Sequence, residues 1–461
     1  MLDINIFREE KGGDLEKIKD SQRKRGKDEE IVDKVVEMDK KWRDMKNKVE
    51  TINYYRNRIG KMIAKKKKEE GREEREKERE MEMKEIWEYM EKKEDEKMEK
   101  LSKEELKKCN LKLKEYQKEI EKESNLYEKE RDKYLVMIGN IVHESVPISD
   151  KEEDQEVIRE WGEKKEKAKN HVDLMNIFGF LKTEKGTEVA GNRSYYMMGE
   201  IVRLNLALIN YAMDYLETKG FTSVYPPYFM NHDIMSEVAQ LDDFDEQLYK
   251  VTGDDPNKYL IATSEQPLCA LHRQEWIDEN KLPINYAGYS TCFRKEVGTH
   301  GKDTHGIFRV HQFEKIEQFV ITSPFNNLSW DAHELLLSNS ELFYQSLNLP
   351  YRVVNIVSSS LNNAAAKKYD LEGWFPASQT YRELVSCSNC TDYQSRRLQI
   401  RLRTNSDSSE KHHVHLLNST LCATSRTLCC IFENYQTPTG IIIPPVLRPY
   451  LNNRSFLPFP L

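Results

Sequence analysis

Apolar residues between positions 35 and 63 recur at alternating spacings of three and four, and this spacing most limits what the first part of the chain can fold into. The series comprises Val35, Met38, Trp42, Met45, Val49, Ile52, Ile59 and Ile63, with an interruption at Arg56. Such a heptad pattern predicts a long helix that buries one narrow stripe against a partner helix.

A second series of the same kind follows forty residues later. It comprises Leu106, Cys109, Leu113, Tyr116, Ile120, Tyr127, Tyr134 and Met137, with interruptions at Glu123 and Glu130. Ser102 and Glu105 have the spacing of a capping box at its start. The two series, separated by a highly charged segment, predict an antiparallel helical hairpin over about residues 28–137. One continuous intermolecular coiled coil is the alternative, but it needs a seam through residues 70–97, where the pattern is poor.

Charge and hydropathy exclude some classes of protein. The formal net charge of -7 gives the whole chain no attraction for nucleic acid, so polyanion binding would need a local basic strip. Candidate strips are residues 65–68 and Lys107, Lys108, Lys112 and Lys114, although charge runs usually just solvate a helix. No run approaches the ~20 apolar residues of a membrane span. Eight scattered cysteines suit reduced thiols, and a cytoplasmic protein is expected.

The composition changes beyond about residue 190. Apolar residues 201–216 have helical spacing, and short β-like runs recur at residues 221–225, 259–261, 308–310, 316–321 and 351–357. Because strands and helices are mixed without regular βαβ alternation, we expect an α+β fold with an antiparallel sheet. Residues 150–190 are predicted to be a polar connector with one helix at residues 157–161. The predicted domains are residues 1–170 and residues 171–461.

Four stretches carry the polar residues that point to chemistry: residues 260–266, 292–317, 381–390 and 417–427. The second has the form of a β-hairpin, with a polar loop at residues 298–306 and a returning strand. Period-two alternation puts Phe313, Lys315 and Glu317 on one face of that strand, opposite a strand that bears Arg294. This face can stack a base and hold charged ligands, although the same alternation also occurs on ordinary solvent-facing strands.

In this order the stretches resemble the class II aminoacyl-tRNA synthetases and, most closely, the eukaryotic cytosolic seryl-tRNA synthetases. Residues 220–227, 293–296 and 423–427 are similar to motifs 1, 2 and 3 of the class, and residues 263–265, 310–317 and 382–390 to serine-specific signatures. The resemblance covers nearly the whole chain and is weakest at residues 64–100. It implies an antiparallel-sheet catalytic domain preceded by a helical, tRNA-binding coiled-coil arm, and a homodimer.

The resemblance also implies an activity and its residues. The expected reaction is ATP-dependent activation of L-serine and its transfer to tRNA(Ser), and to tRNA(Sec) where present. Arg294 and Arg426 are the expected catalytic residues. The expected serine-binding residues are Thr263, Ser264, Glu265, Arg294, Glu317, Asn418 and Thr420. The expected ATP-binding residues are Arg294, Lys295, Glu296, Val310, His311, Gln312, Phe313, Glu383, Leu384, Val385, Ser386 and Arg426. Glu383 and Ser386 would bind Mg²⁺, a cation that prefers oxygen ligands.

Several features allow other interpretations. Cys387 and Cys390 have CxxC spacing, but there is no second CxxC, so no zinc is expected. The chain departs from the family at Ser359 and Ala377, where glycines are usual; if either position had a positive φ, the replacement would cost ~1 kcal/mol. Alternative functions are a class II synthetase of another specificity, an inactive paralogue acting as an RNA-binding scaffold, and a coiled-coil interaction protein. The last leaves the C-terminal residues unexplained.

Overall fold

The computed structural model describes residues 1–69, 86, 98–166, 168–239, 247–253, 256–297, 306–404 and 411–460. The chain divides into two compact units. The hairpin unit comprises Ile4–Leu15 and Glu29–Ile138, and the sheet unit comprises Met1–Asp3, Glu16–Asp28 and Gly139–Leu461.

The described residues form helices and strands that are numbered in chain order. The helices are α1 Leu15–Lys24, α2 Glu30–Glu69, α3 Lys103–Leu135, α4 His171–Ile177, α5 Thr183–Ala190, α6 Glu200–Thr218, α7 His232–Val238, α8 Glu265–Ala270, α9 Leu328–Ser346, α10 Tyr393–Leu398 and α11 Thr424–Asn434. The strands are β1 Glu156–Trp161, β2 Leu181–Lys182, β3 Tyr196–Met197, β4 Thr222–Val224, β5 Phe229–Asn231, β6 Lys250–Val251, β7 Lys258–Leu260, β8 Trp276–Asp278, β9 Ile284–Phe293, β10 Gln312–Thr322, β11 Tyr351–Asn355, β12 Lys367–Phe375, β13 Thr380–Asn389, β14 Arg401–Arg403, β15 His415–Ala423, β16 Gln436–Thr437, β17 Gly440–Ile442 and β18 Phe456–Pro458.

In the hairpin unit, α2 and α3 pack against each other in opposite directions. Lys41 lies over the ring of Tyr127, whereas Arg56, further along α2, donates to Gln117, nearer the start of α3. The predicted antiparallel hairpin is therefore confirmed, and the predicted capping box of Ser102 is present at the start of α3. The connection between the helices lies mostly outside the described residues.

The packing seam follows the prediction along α2 and departs from it along α3. Val35, Ile52 and Ile59 are fully buried, and Arg56 interrupts the seam because it bonds to Asn110 and Gln117 across the hairpin. Beyond Ile120 the buried side of α3 shifts.

The residues buried there are Ser124, Arg131 and Leu135, whereas Met137, expected in the seam, is exposed. A helix of 3.6 residues per turn drifts away from a strict heptad, which permits such a shift. A buried charge fixes the new register: the Asp39 carboxylate lies 2.7 Å from Arg8, 3.0 Å from Arg43 and 3.5 Å from Arg131.

The sheet unit is built on an eight-stranded sheet. Its strand order is β1-β11-β12-β13-β15-β10-β9-β4, and every neighbouring pair is antiparallel except β4 and β9. Buried side chains of α6, α9 and α11, such as Leu208, Leu336 and Leu428, share one core with Val320, Leu371 and other strand residues. The expected α+β fold with an antiparallel sheet is confirmed.

Two local expectations were wrong. Residues 157–161, predicted to be helical, lie in β1, the edge strand of the sheet, because Val157 and its neighbours pair with β11 and β-branched residues suit a strand. Consequently residues 139–170 lie in the sheet unit, and the structural division differs from the predicted boundary after residue 170. Residues 308–310 lie in a bend outside any strand, and β10 begins at Gln312. Among the described helices, none is long and apolar enough to cross a membrane.

Candidate active site

Two β-bulges decide which side chains meet on the sheet. In β13, Leu384 is an extra residue between Glu383, which pairs with Glu372, and Val385, which pairs with Leu371. Because a bulge shifts the alternation by one residue, Glu383 and Ser386 lie on the same face. In β15, a second register shift brings Thr420 opposite Glu317 on β10.

Arg294 follows the end of β9 and is held at several atoms. Its backbone N–H donates to the His311 carbonyl at 2.9 Å, and His311 Nδ1 lies 2.9 Å from the Arg294 carbonyl. Its Nε donates to the Ala262 carbonyl at 3.1 Å, and the guanidinium lies 5.3 Å from the centre of the Phe313 ring. The position of the guanidinium is thus fixed while its Nη groups keep their capacity to donate to an anion.

Arg426 stands in the first turn of α11, beside Glu383. Its Nη1 lies 3.3 Å from Glu383 Oε2 and donates to the Glu383 carbonyl at 3.1 Å, and the guanidinium lies over Phe308. Partial desolvation by neighbouring atoms acts to raise the pKa of the Glu383 carboxyl, but the cations Arg426, Lys368 and Arg294 lower this pKa to about 2. Glu383 is therefore ionised at neutral pH and lies among positive charges.

Thr263, Glu265 and Glu317 form a second, more buried group. The Thr263 hydroxyl donates to Glu317 Oε2 at 3.3 Å and accepts the backbone N–H of Glu265 at 3.2 Å. Lys315 forms a buried ion pair with Glu317, and Gln394 donates to Glu265 Oε1 at 2.8 Å. Burial and the nearby Glu317 raise the pKa of Glu265. Two neighbouring carboxylates, of which Glu317 is 2% exposed, suit a small ligand that carries an ammonium group.

Three other predicted serine-binding residues lie close by. Thr420 pairs with Glu317 across the sheet, and Asn418 Nδ2 donates to the Cys390 thiol sulfur at 3.6 Å. Ser264 is fully buried and its hydroxyl donates to the Gly288 carbonyl at 3.5 Å, so its side chain supports the neighbouring strand.

The remaining predicted ATP-binding residues surround Arg294 or lie along β13. Glu296 has a φ of 50° and accepts from Arg309 at 3.3 Å, while the backbone N–H of Lys295 donates to the Gln247 carbonyl. Such a left-handed conformation is costly for a residue other than glycine and recurs at functional sites. Val310, Leu384 and Val385 are buried in the core, whereas Gln312 is exposed.

A carboxylate that the sequence did not single out lies beside Glu383 and Ser386. Asp370 on β12 pairs with Ser386, and its Oδ2 lies 3.7 Å from Lys368 Nζ. Burial and the charge of Glu383 raise the pKa of Asp370 to about 7, although Lys368 acts in the opposite direction. Its Oδ1 is buried without a hydrogen-bond partner. From the sequence, the alternation along β12 could have predicted that Lys368 and Asp370 share one face of the sheet. It could not have predicted that β12 pairs with β13, which brings Asp370 next to Ser386.

The oxygens of Glu383, Ser386 and Asp370 fit a magnesium ion that also binds a nucleotide. Within the described part of the chain, no three His, Cys, Asp or Glu side chains are arranged to hold a metal on their own. Mg²⁺ usually takes one or two carboxylates together with substrate phosphates and water, and an ionised carboxylate, a hydroxyl and an orphaned carboxylate oxygen match that requirement.

The features with alternative interpretations are also located. Cys387 and Cys390 are buried free thiols. Neither Ser359 nor Ala377 has a positive φ, so the strain considered for these replacements does not arise.

Comparison with known proteins gives full-length matches. The profile of the tRNA synthetase class II core domain (G, H, P, S and T) matches residues 249–435, and that of the seryl-tRNA synthetase N-terminal domain matches residues 1–104. The chain is 51% identical to a serine–tRNA ligase of Helianthus annuus, over 100% of this chain and 99% of the relative.

Two crystal structures share the fold. The cytoplasmic serine–tRNA ligase of Naegleria fowleri in complex with AMP is 50% identical, with a TM-score of 0.90 over 100% of this chain and 99% of that one. The seryl-tRNA synthetase of Pyrococcus horikoshii complexed with ATP is 38% identical, with a TM-score of 0.86 over 99% of this chain and 100% of that one. With this sheet, these motifs and these full-length matches, the chain belongs to the seryl-tRNA synthetase family of class II.

Proposed function

We propose that this chain is a cytoplasmic serine–tRNA ligase, which activates L-serine with ATP and transfers it to tRNA(Ser), and to tRNA(Sec) where that tRNA is present. The observation that carries the proposal is the arrangement around β10. Arg294 and Phe313 lie at one end of the strand, and the buried Glu317, with Thr263 and Lys315, lies further along it. In this proposal the nucleotide would bind at Arg294 and Phe313, and serine would bind next to it, at Thr263 and Glu317.

In the activation step, the serine carboxylate attacks the α-phosphorus of ATP and pyrophosphate leaves. Arg294 would hold the α-phosphate and the carboxylate, and Arg426 the γ-phosphate, because a planar guanidinium matches phosphate oxygens in pairs. Phe313 would stack on adenine, whose edge would contact Glu296 and the backbone near Val310. Positioning and charge neutralisation suffice for this reaction, so no general base is assigned.

Serine recognition would divide between the two buried carboxylates. Glu265 and Thr263 would receive the ammonium group, and Glu317, with Asn418 and Thr420, the hydroxyl. Alanine lacks that hydroxyl and would leave buried polar groups unpaired, which can give a discrimination of about 10⁴–10⁵. Such a pocket needs no editing site against alanine.

A bound Mg²⁺ would neutralise charge on the phosphates of ATP. Glu383 and Ser386 would hold it, because Glu383 is ionised and the bulge at Leu384 puts both side chains on one face. Arg426 would keep the carboxylate oriented through its contact with Glu383 Oε2.

The tRNA and a second copy of the chain are the proposed macromolecular partners. The hairpin unit would bind tRNA(Ser) through exposed lysines such as Lys65 and Lys67, since double-stranded RNA offers proteins mainly its backbone and shape. The dimer would involve the segment similar to motif 1. Tyr225, in that segment, is 71% exposed, and Leu206 in α6 and Phe229 in β5 are 51% and 52% exposed, so each offers apolar surface to a partner.

ATP–pyrophosphate exchange with the purified chain tests the proposal. Exchange that depends on serine is expected, because adenylate formation is reversible in the absence of tRNA. If the folded protein binds ATP but shows no pyrophosphate exchange with serine, the result would favour the alternative of an inactive paralogue that acts as an RNA-binding scaffold.

A further inference from the structure

The side chain of Asp370 has an unusual environment for a buried carboxylate. It lies on β12, in the middle of the eight-stranded sheet, and only 7% of the residue is exposed. Lys368 Nζ, at 3.7 Å from Oδ2, is close enough for an ion pair but not for a hydrogen bond of normal length. Oδ1 has no hydrogen-bond partner. A buried polar atom left without a partner destabilises the fold, so a compensating role is expected.

The surroundings of Asp370 indicate what that role is. Ser386 lies directly opposite on β13, and cross-strand partners have adjacent side chains. The bulge at Leu384 brings Glu383 to the same face, close enough for its charge to act on Asp370. Asp370 therefore adjoins both residues assigned to the magnesium ion.

We propose that Asp370 is a further residue of the magnesium site, accepting a hydrogen bond from a metal-bound water through Oδ1. This inference rests on the proposed function, since it extends the site of Glu383 and Ser386. Mg²⁺ in nucleotide sites keeps several of its waters, and carboxylates that accept from such waters orient the ion. Asp370 is a positioning residue, and Lys368 balances part of the negative charge before the ion binds.

The chain offers a matched control. Glu372, two residues along β12 and directly opposite Glu383, is also a carboxylate on the same face, but its Oε2 accepts from Arg352 and its Oε1 from Gln155. Glu372→Gln therefore removes one negative charge from the same strand, as Asp370→Asn does. It leaves Oδ1 of Asp370, the oxygen without a hydrogen-bond partner, unchanged. Asp370→Asn keeps the shape of the side chain, and Asp370→Ser serves as a second variant if the first does not fold.

The experiment measures Mn²⁺, as a paramagnetic substitute for Mg²⁺, binding to the full-length chain saturated with a non-hydrolysable ATP analogue. We expect Asp370→Asn to weaken Mn²⁺ binding about 10–100-fold, the usual effect of removing an outer partner of a metal site. Glu372→Gln should leave Mn²⁺ binding within about twofold of the parent. Binding of the analogue in the absence of metal should be the same for both variants.

Unchanged Mn²⁺ affinity in folded Asp370→Asn would overturn the inference, and so would an equal loss in Glu372→Gln, which would indicate a general charge effect. Glu383→Gln separates this result from the proposed site itself. If Glu383→Gln binds Mn²⁺ as the parent does, the assignment of the metal to Glu383 and Ser386 fails, whatever Asp370 does.

Discussion

Glu317→Ala is the substitution that most directly probes serine recognition. The carboxylate is buried, with 2% of the side chain exposed, and it accepts from Thr263 and pairs with Lys315. If it also accepts the serine hydroxyl, its removal loses a hydrogen bond to a charged group, worth about 1.5–3 kcal/mol. At about 1.4 kcal/mol per factor of ten, kcat/KM for serine should fall about 10-fold to 150-fold.

The same substitution has a second effect, on stability. Without Glu317, Lys315 is a buried cation that lacks its partner, and breaking a buried ion pair in this way costs about 3–5 kcal/mol. Loss of activity could then reflect loss of folded protein. The double variant Lys315→Met, Glu317→Ala separates the two effects, because removing both charges relieves most of the stability cost without restoring the acceptor.

The assay is serine-dependent ATP–pyrophosphate exchange at several serine and ATP concentrations, together with denaturant unfolding of each variant. We expect both variants to lose serine kcat/KM while the KM for ATP changes little, and the double variant to be the more stable of the two. Serine activation that returns to the parent value in the double variant would refute the assignment of the hydroxyl to Glu317. Unchanged activation in Glu317→Ala alone would refute it as well.

Four further outcomes are expected. Arg294→Lys keeps the charge but loses the paired donors, so pyrophosphate exchange should fall by at least about 100-fold while the unfolding curve stays unchanged; near-normal exchange would contradict the role of Arg294. Asp39→Ala leaves the guanidiniums around it unbalanced and should destabilise the hairpin unit by about 3–5 kcal/mol in denaturant unfolding, whereas a loss below about 1 kcal/mol would show that the ion pairs matter little. Sedimentation equilibrium should give twice the 54.5 kDa chain mass for the parent and a monomer for Leu206→Glu; a monomeric parent that activates serine would argue against the dimer. A variant lacking residues 28–137 should keep pyrophosphate exchange and lose most tRNA charging, and full charging by this variant would exclude the hairpin as the tRNA-binding element.

The hairpin and the family could be predicted from the sequence for different reasons. The alternating spacings of three and four residues predict directly which side of α2 is buried. Arg56, the charged residue that interrupts this pattern, has polar partners across the hairpin. The seam along α3 could not be followed past Ile120, because the buried Asp39 and Arg131, distant in sequence, set the register there. The order of the polar stretches identified the family without any structure.

Other features needed the three-dimensional structure. A six-residue segment such as β1 fits a helix or a strand equally well by periodicity, and only pairing with β11 decides between them. The bulge at Leu384 leaves no mark in the sequence, yet it determines that Glu383 and Ser386 share a face. For the same reason Asp370 could not be assigned to the site from the alternation of β12 alone.

Amino-acid selectivity in pyrophosphate exchange tests the central claim most directly. The parent chain should be assayed with serine, alanine and threonine, each free of contaminating serine. If Glu317 accepts the serine hydroxyl, as proposed, kcat/KM for serine should exceed that for alanine by about 10⁴–10⁵. Threonine, which carries the hydroxyl, should be rejected by its extra methyl group. Exchange that is equally fast with alanine, or faster with any other amino acid than with serine, would contradict the assignment of this pocket to serine.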